Sequence, residues 1–489
     1  MNIISLISIL TVSLLLRIFF IPAQNLLIEE AYYWNYAIHL DFGYLDHPPL
    51  VALLIKASTL LFGNNEWGVR FPALLCWGIT AYFSYQWAEL VRKGSGRYAL
   101  FLISILPFFF VFSLFMTPDS PFMAAWSAGL YAIYRAVCRK EAKFWYFAGI
   151  ALGLGFLSKY TMILLALTTG IYLLTTPQAR SWFLRKEPYL AILIALCLFS
   201  PVIYWNATHD WISFTFQSTR RFEGAFRFTF HYLVGLLFLF LTPVGVIGFI
   251  ELFKKKTVTR AGFDPLTIKF FRYYMLLPLG FFSLFSLTRE IKFDWIGPIF
   301  LATIPWLAAL MQNKAKLCRE WFCTSLVLLL AYAAILFCIV FGRPESLNHA
   351  LFSKLVSWDN LAQQFYNVAT QLKIKGEEPV FVPIDSYGVA SELAFYQEKH
   401  SKGKIPAAFP VHGADLFGFN SLMFNFWGQS YDLKGKAIIL VGKDATAFDN
   451  PSIRGITTPL SPVVMIWGGS QGELKELRQF FYQVVRLNG

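Results

Sequence analysis

Glu29 and Glu30 are adjacent carboxylates, followed at once by Tyr32, Tyr33 and Trp34 and then by Tyr44, Asp46 and His47 ahead of Pro48-Pro49. Neighbouring residues on a helix point about 100° apart, so the two glutamates do not make a shared-proton dyad. One of them can serve as a general base, which needs a hydroxyl or amine within hydrogen-bond reach. The other then pairs with a cation or caps a helix. The bland alternative is a solvated acidic loop start. Tyr32, Tyr33, Trp34 and Tyr44 suit an interfacial aromatic belt, stacking on sugar rings, or the wall of a prenyl groove. The diproline stiffens the backbone just after Asp46 and His47 and holds that pair at a fixed height. The pair suits a phosphate contact or a metal-ligand pair; a histidine capping an interfacial helix is the alternative.

Asp119 lies between Pro118 and Ser120-Pro121. It reads either as a turn residue and helix N-cap or as a site carboxylate at membrane depth. Lys159 is a counter-ion for it or for a phosphate. Arg220, Arg221, Arg289 and Lys292 fall in loops on the same side, as does Asp294 in the sequence Lys292-Phe293-Asp294-Trp295. Each cation alone is explained by snorkelling or by a nearby carboxylate. All of them on one face, together with acids, favour an anionic ligand.

The elements that must hold these groups are membrane helices. Of 489 residues 56% are hydrophobic, 18% aromatic and only 15% charged, where a soluble chain carries about 25% charged residues. Mean hydropathy is +0.52, and the apolar runs approach the roughly 20 residues that cross a bilayer as a helix. The expected fold class is therefore a polytopic α-helical membrane protein. The net charge of +13 does not argue for nucleic acid, because most basic residues sit in short loops between apolar runs. The six cysteines (76, 138, 197, 318, 323 and 338) form no Cys-x-x-Cys pair, so no disulfide framework or thiolate metal site is expected.

The expected spans are 3–21, 67–91, 98–116, 121–137, 144–158, 160–176, 189–205, 229–250, 271–287, 296–312 and 321–341. The first is read as a retained helix rather than a cleaved signal peptide. Every second loop is basic, which places those loops and the N-terminus in the cytoplasm and leaves the remaining loops outside. This alternation holds only if the apolar run from Phe144 to Leu174 breaks at Ser158-Lys159-Tyr160. The membrane part is then 1–341, with an outer juxtamembrane loop 22–66. Beyond it, 342–489 reads as a small outer α/β domain. Its expected strands are 379–384, 437–441 and 463–467, and its expected amphipathic helices are 358–373, 386–397 and 472–486.

In their order these motifs resemble family 39 of the GT-C glycosyltransferases, the protein O-mannosyltransferase type. The branch most similar is that of the bacterial lipid A aminoarabinose transferases. The resemblance rests on Glu29-Glu30-Ala31-Tyr32-Tyr33-Trp34, Tyr44-Leu45-Asp46-His47-Pro48-Pro49, Thr117-Pro118-Asp119-Ser120-Pro121 and Gly153 to Tyr160. It continues through Trp205-Asn206-Ala207-Thr208-His209-Asp210, Lys292 to Trp295, and Tyr387 to Tyr396. It implies an inverting transferase of the bacterial inner membrane, taking a sugar from a polyprenyl phosphate, expected to be undecaprenyl phosphate. The acceptor is expected to be lipid A or another envelope glycan; a secreted protein stays open. It further implies that Glu29 falls where the family has its catalytic Asp and Glu30 on the family's Glu. His47 falls on a lysine that contacts lipid phosphate, and Asp46 on a carboxylate associated with a possible divalent metal. Asp119 joins the catalytic set. The donor-phosphate set is His47, Lys159, Arg220, Arg221, Arg289 and Lys292. Tyr32, Tyr33, Trp34, Tyr44, His209 and Asp294 are expected at the substrate, with His209 beside Asp46 as a metal ligand. The main rival is a lipid or sugar transporter, which intramembrane charges also suit; no internal repeat supports it.

Overall fold

In a hydrocarbon environment the backbone must satisfy its own polar groups, and helices do so within one segment. The computed structural model describes residues 3–222, 227–341, 358–401, 408–428, 432–467 and 479–488; the side chains of 220–222 and 261 lie outside that description. The first part of the chain is helical. It runs through α1 (Ile3–Ala23), α2 (Ile28–Ile38), α3 (Leu50–Phe62), α4 (Glu66–Val91), α5 (Gly96–Ile105), α6 (Pro107–Val111), α7 (Asp119–Cys138) and α8 (Phe144–Phe156). It continues with α9 (Ile163–Thr175), α10 (Lys186–Thr208), α11 (Ile212–Phe222), α12 (Phe230–Glu251), α13 (Lys255–Ala261), α14 (Pro265–Ser286), α15 (Phe293–Ile296), α16 (Ile304–Asn313) and α17 (Ala315–Phe341).

Among the described residues, six helical runs are long and apolar enough to cross a membrane: α1, α10, α12, α14, Phe293–Asn313 and α17. A seventh candidate is Tyr160–Thr175 with Pro177–Leu184, bent by 108°. Two expected spans are shorter than anticipated. The run 98–116 breaks at Leu106, which is extended (φ −63°, ψ 134°), because the proline at 107 disfavours a helical residue before it. The run 144–158 yields only the 13 residues of α8. The break expected at Ser158-Lys159-Tyr160 is present: α8 ends at Phe156, Lys159 is extended and Tyr160–Met162 forms a 3-10 turn.

The chain divides into two compact units. The first comprises 1–19, 42–51 and 70–333. In it α8 packs between α7 and α10, α9 against α14, and α5 against α16. A side chain at Gly149 of α8 would meet the Ala191 backbone at 2.5 Å, so only glycine allows that helix contact. Arg17 is fully buried. Its Nε donates to Ser113 Oγ at 2.7 Å and its Nη2 to the Ser104 carbonyl at 3.1 Å, and the Trp77 and Phe110 rings lie 4.4 Å from its guanidinium carbon.

The second unit comprises 20–41, 52–69 and 334–489. It adds α18 (Trp358–Ile374), β1 (Pro379–Pro383), α19 (Tyr387–Ser401), β2 (Ala437–Gly442), β3 (Thr457–Pro459), β4 (Val464–Trp467) and β5 (Gln479–Leu487). β1 and β2 are parallel, as a crossover through α19 requires, and β5 runs antiparallel to β2, β3 and β4. Val382, Ile438, Leu440, Phe417 and Phe448 form the core beside the sheet. The helix expected over 472–486 is corrected: residues 479–487 form strand β5, and 468–478 lie outside the described residues. The apolar positions of Phe-Phe-Tyr-Gln-Val-Val fit a helical stripe, but aromatic and β-branched residues also favour a pleated, half-buried strand, and pairing on both edges decides it.

Candidate active site

The expected site residues are shared between the two units. In the first, the backbone N–H of Leu50 donates to the Leu157 carbonyl at 2.9 Å. Leu157 closes α8, where carbonyls have no intrahelical partner, so this bond ties the Asp46-His47-Pro48-Pro49 segment to the turn carrying Lys159. On the other side Gln217 of α11 donates its side-chain amide to the Asp46 carbonyl. The Tyr160 hydroxyl meets Ser213 Oγ at 2.8 Å. Two loops far apart in sequence are thereby fixed to each other and to α11.

Lys159 is buried and bridges two acids, with Nζ 2.7 Å from Asp119 Oδ1 and 2.7 Å from Asp294 Oδ2. An ammonium has three N–H donors, so one remains beyond these two. Asp119 opens α7, and its place is set by the Thr117 hydroxyl, 3.3 Å from the Asp119 N–H. Asp294 is held by its neighbour Phe293, whose ring packs on Phe240, Phe108 and Phe112. Gly297 allows the approach, since a Cβ there would fall 2.0 Å from the Phe108 ring.

Beside Lys159 lies a cavity of about 260 Å³. His47, Lys159 and Gln217 form its polar part, and Phe281, Phe282, Phe285, Trp295, Ile163 and Leu164 line the rest. It thus has a polar end and an apolar wall. Arg289 and Lys292 do not line it: Arg289 is half-buried, with its carbonyl accepting from Thr229 Oγ1 at 2.7 Å, and Lys292 is exposed. The side chains of Arg220 and Arg221 lie outside the described residues. Tyr44 is fully buried. The His209 ring stacks on Trp205 at 4.2 Å, with Nδ1 2.8 Å from the Trp205 carbonyl. No cluster of three or more His, Cys, Asp or Glu side chains able to hold a metal occurs among the described residues. Asp46 and His209, the expected metal pair, belong to no such cluster among the described residues.

In the second unit α2 separates the two glutamates. Glu30 is buried, and its carboxylate accepts the Leu27 N–H at 2.9 Å, which satisfies an orphan donor at the helix start. Glu29 is exposed. Tyr32 and Trp34 are turned into the protein. The Tyr32 ring packs on Tyr387 and Tyr36 at 4.8 Å each, Trp34 meets Phe395 edge-on, and Trp34 Nε1 donates to Asn64 at 3.0 Å. Tyr33 packs edge-on against Tyr36. At Tyr32 and Trp34 this aromatic stretch is the face by which α2 packs on α19.

That packing is backed by polar ties. Tyr396 donates to Glu66 and receives the Leu26 N–H at 2.8 Å. Lys399 reaches Glu66 at 2.8 Å and Asp359 at 3.3 Å. Burial works against the Lys399 charge, but these acids outweigh it and hold the ammonium above its ordinary pKa. Sequence reasoning missed Glu66, Gln217 and the phenylalanines of α14. For α14 the signal was visible, as three phenylalanines at 281, 282 and 285 beside a basic loop.

Residues 46–205 match the family described as dolichyl-phosphate-mannose-protein mannosyltransferase. Over 190 residues the chain is 27% identical to the lipid A galacturonosyltransferase RgtD of Rhizobium johnstonii, covering 38% of this chain and 40% of that relative. The match thus spans less than half of that relative's length. The crystal structure of ArnT from Cupriavidus metallidurans bound to undecaprenyl phosphate superposes with TM-score 0.68 at 15% identity, over 98% of this chain and 97% of ArnT. The chain has the fold of ArnT. The apo form of ArnT gives TM-score 0.64 at 16% identity, over 98% and 97% of the two chains. An oligosaccharyltransferase from Archaeoglobus fulgidus gives 0.50 at 13%, over 90% of this chain and 69% of the archaeal one. The family match starts at Asp46 and contains Asp119 and Lys159.

Proposed function

We propose that the chain is an inverting glycosyltransferase that moves a sugar from a polyprenyl phosphate, undecaprenyl phosphate in bacteria, to lipid A or another envelope glycan. The observation that carries this reading is the cavity beside Lys159, where His47, Lys159 and Gln217 meet a wall built from Phe281, Phe282, Phe285 and Trp295. A phosphate joined to a long prenyl chain needs that combination of a polar end and an apolar wall. ArnT, of the same fold, has been crystallised with undecaprenyl phosphate, and RgtD, similar over part of the chain, is a lipid A galacturonosyltransferase.

In this reading Glu29 is the general base. It takes the proton from an acceptor hydroxyl as that oxygen attacks the anomeric carbon. The bond from that carbon to the phosphate oxygen breaks, the phosphate leaves with the electron pair, and the configuration inverts. Glu30 fixes the start of α2. The third N–H of Lys159 and the imidazole of His47 stabilise the charge that develops on the leaving phosphate. With both acids ionised the Lys159 trio is net negative, so long-range attraction for the donor falls to Arg289, Lys292, Arg220 and Arg221. Asp119 and Asp294 keep Lys159 in place.

The same reading takes all eleven apolar runs as spans, with the N-terminus cytoplasmic. It puts the membrane part at 1–341 and the α/β domain at 342–489 on the periplasmic side of the inner membrane. The alternation of basic loops supports that arrangement. The test is mass spectrometry of lipid A and envelope glycans after reconstitution of the chain with an undecaprenyl-phosphate sugar. One added sugar per acceptor, absent with Glu29→Gln, supports the proposal; an unmodified acceptor pool with every donor tried overturns it.

A further inference from the structure

The second unit contains a cavity of about 340 Å³ that the proposed chemistry does not use. Trp427, Phe409, Asn35, His39, His412 and Glu398 are among its walls. His39 stacks on Trp427 with ring centres 4.5 Å apart and planes 13° from parallel. Its Nδ1 lies 3.1 Å from the Asn35 carbonyl. A carbonyl only accepts, so Nδ1 carries the proton and Nε2 of the neutral ring is an acceptor. Desolvation favours the neutral ring at both His39 and His412. Among the described lining residues Glu398 is the only acid, and none is a lysine or arginine.

These walls are largely aromatic, and their one charged group among the described residues is the Glu398 carboxylate. A phosphate or a uronate would meet a carboxylate and no cation there. A sugar ring suits both features: its hydroxyl or ammonium groups can donate to the Glu398 carboxylate, and its apolar C–H face can lie on the aromatic rings. The cavity also has a definite relation to Glu29 through a single element. Glu29 is on the first turn of α2 and His39 caps its last. At about 1.5 Å per residue that separation is roughly 15 Å along the axis.

We infer that this cavity is a remote acceptor subsite, which takes a neutral or amino-bearing sugar ring of an extended glycan while another part of that glycan is presented to Glu29. The inference rests on the transferase reading and deepens it by naming the acceptor class as a multi-ring glycan with an amino or unmodified sugar away from the attachment point.

The experiment uses the full-length chain in lipid nanodiscs and reads tryptophan fluorescence while a glucosamine disaccharide is titrated in. A galacturonic acid disaccharide is the anionic control. The expected result is saturable binding of the glucosamine disaccharide, at least tenfold weaker binding of the control, and at least a tenfold loss with Glu398→Gln. Ala394→Phe, which fills the cavity from α19, gives the same loss by another route. Absence of saturable binding, equal binding of the anion, or full binding by both variants overturns the subsite. Because binding is read without turnover, the two readings fail separately. A chain that binds the disaccharide but never releases undecaprenyl phosphate loses the transfer reading alone. One that turns over donor but binds no sugar in this cavity loses the subsite alone.

Discussion

Lys159 and Asp119, forty residues apart in the chain, form a buried ion pair with Nζ 2.7 Å from Oδ1. Asp294 accepts from the same nitrogen at 2.7 Å. Removing the cation leaves two carboxylates facing each other. Breaking a buried pair by deleting one partner costs about 3–5 kcal/mol. Lys159→Met is therefore expected to lower the thermal midpoint sharply in detergent. Adding Asp119→Asn to it recovers part of the loss, because one of the two opposed charges is gone. Equal midpoints for wild type and Lys159→Met would show that the trio does not hold the two loops together.

Gly388 of α19 packs tightly against Ile28 of α2. A Cβ there would lie 2.4 Å from Ile28 Cγ2, and Ile28 is β-branched and stiff. Gly388→Ala is expected to destabilise by about 1–3 kcal/mol through overpacking. Ile28→Ala in the same chain should restore much of it, which a double-mutant cycle of unfolding midpoints measures. Additive effects would place the two residues out of contact.

The two glutamates are expected to separate by assay. Glu30→Ala removes the acceptor for the Leu27 N–H and costs about 1 kcal/mol, as loss of a cap does. Glu29 is exposed, so Glu29→Gln stays within about 0.5 kcal/mol of wild type. Thermal unfolding of both variants checks this, and a large destabilisation by Glu29→Gln would give that residue a structural role instead.

His39 and His412 set a pH dependence. Desolvation lowers both below the ordinary 6.5 in the folded chain. Between 6.5 and the lower folded values the unfolded chain binds more protons, so stability rises with pH across that window and falls on acidification. Above 6.5 their contribution is level. Thermal midpoints measured from pH 7.5 down to pH 5 should fall, and the fall should be shallower in His412→Gln. An identical slope in that variant would contradict the assignment.

The membrane class, the break at Ser158-Lys159-Tyr160 and the helices at 358–373 and 386–397 were legible in the sequence, because hydropathy and periodicity report burial directly. Lys159 was legible as a counter-ion of Asp119, since both fall in turns on one expected face. The part played by Asp294 in that trio was not, because nothing local links it to Lys159 across 135 residues. Tyr32 and Trp34 read as interfacial belt, sugar platform or groove wall, with the belt the simplest of the three. Only the arrival of Tyr387 and Phe395, more than 350 residues later in the chain, shows that their rings are used for packing. The strand at Gln479–Leu487 was misread for a similar reason: its partners, β2, β3 and β4, lie elsewhere in the chain.

The most direct test of the central claim is the rate of undecaprenyl phosphate release from an undecaprenyl-phosphate sugar, with acceptor present, by wild type and Glu29→Gln of equal thermal stability. Loss of a general base should slow release by roughly 10²–10⁴-fold, with binding of undecaprenyl phosphate unchanged. Release at the wild-type rate from Glu29→Gln would contradict the account.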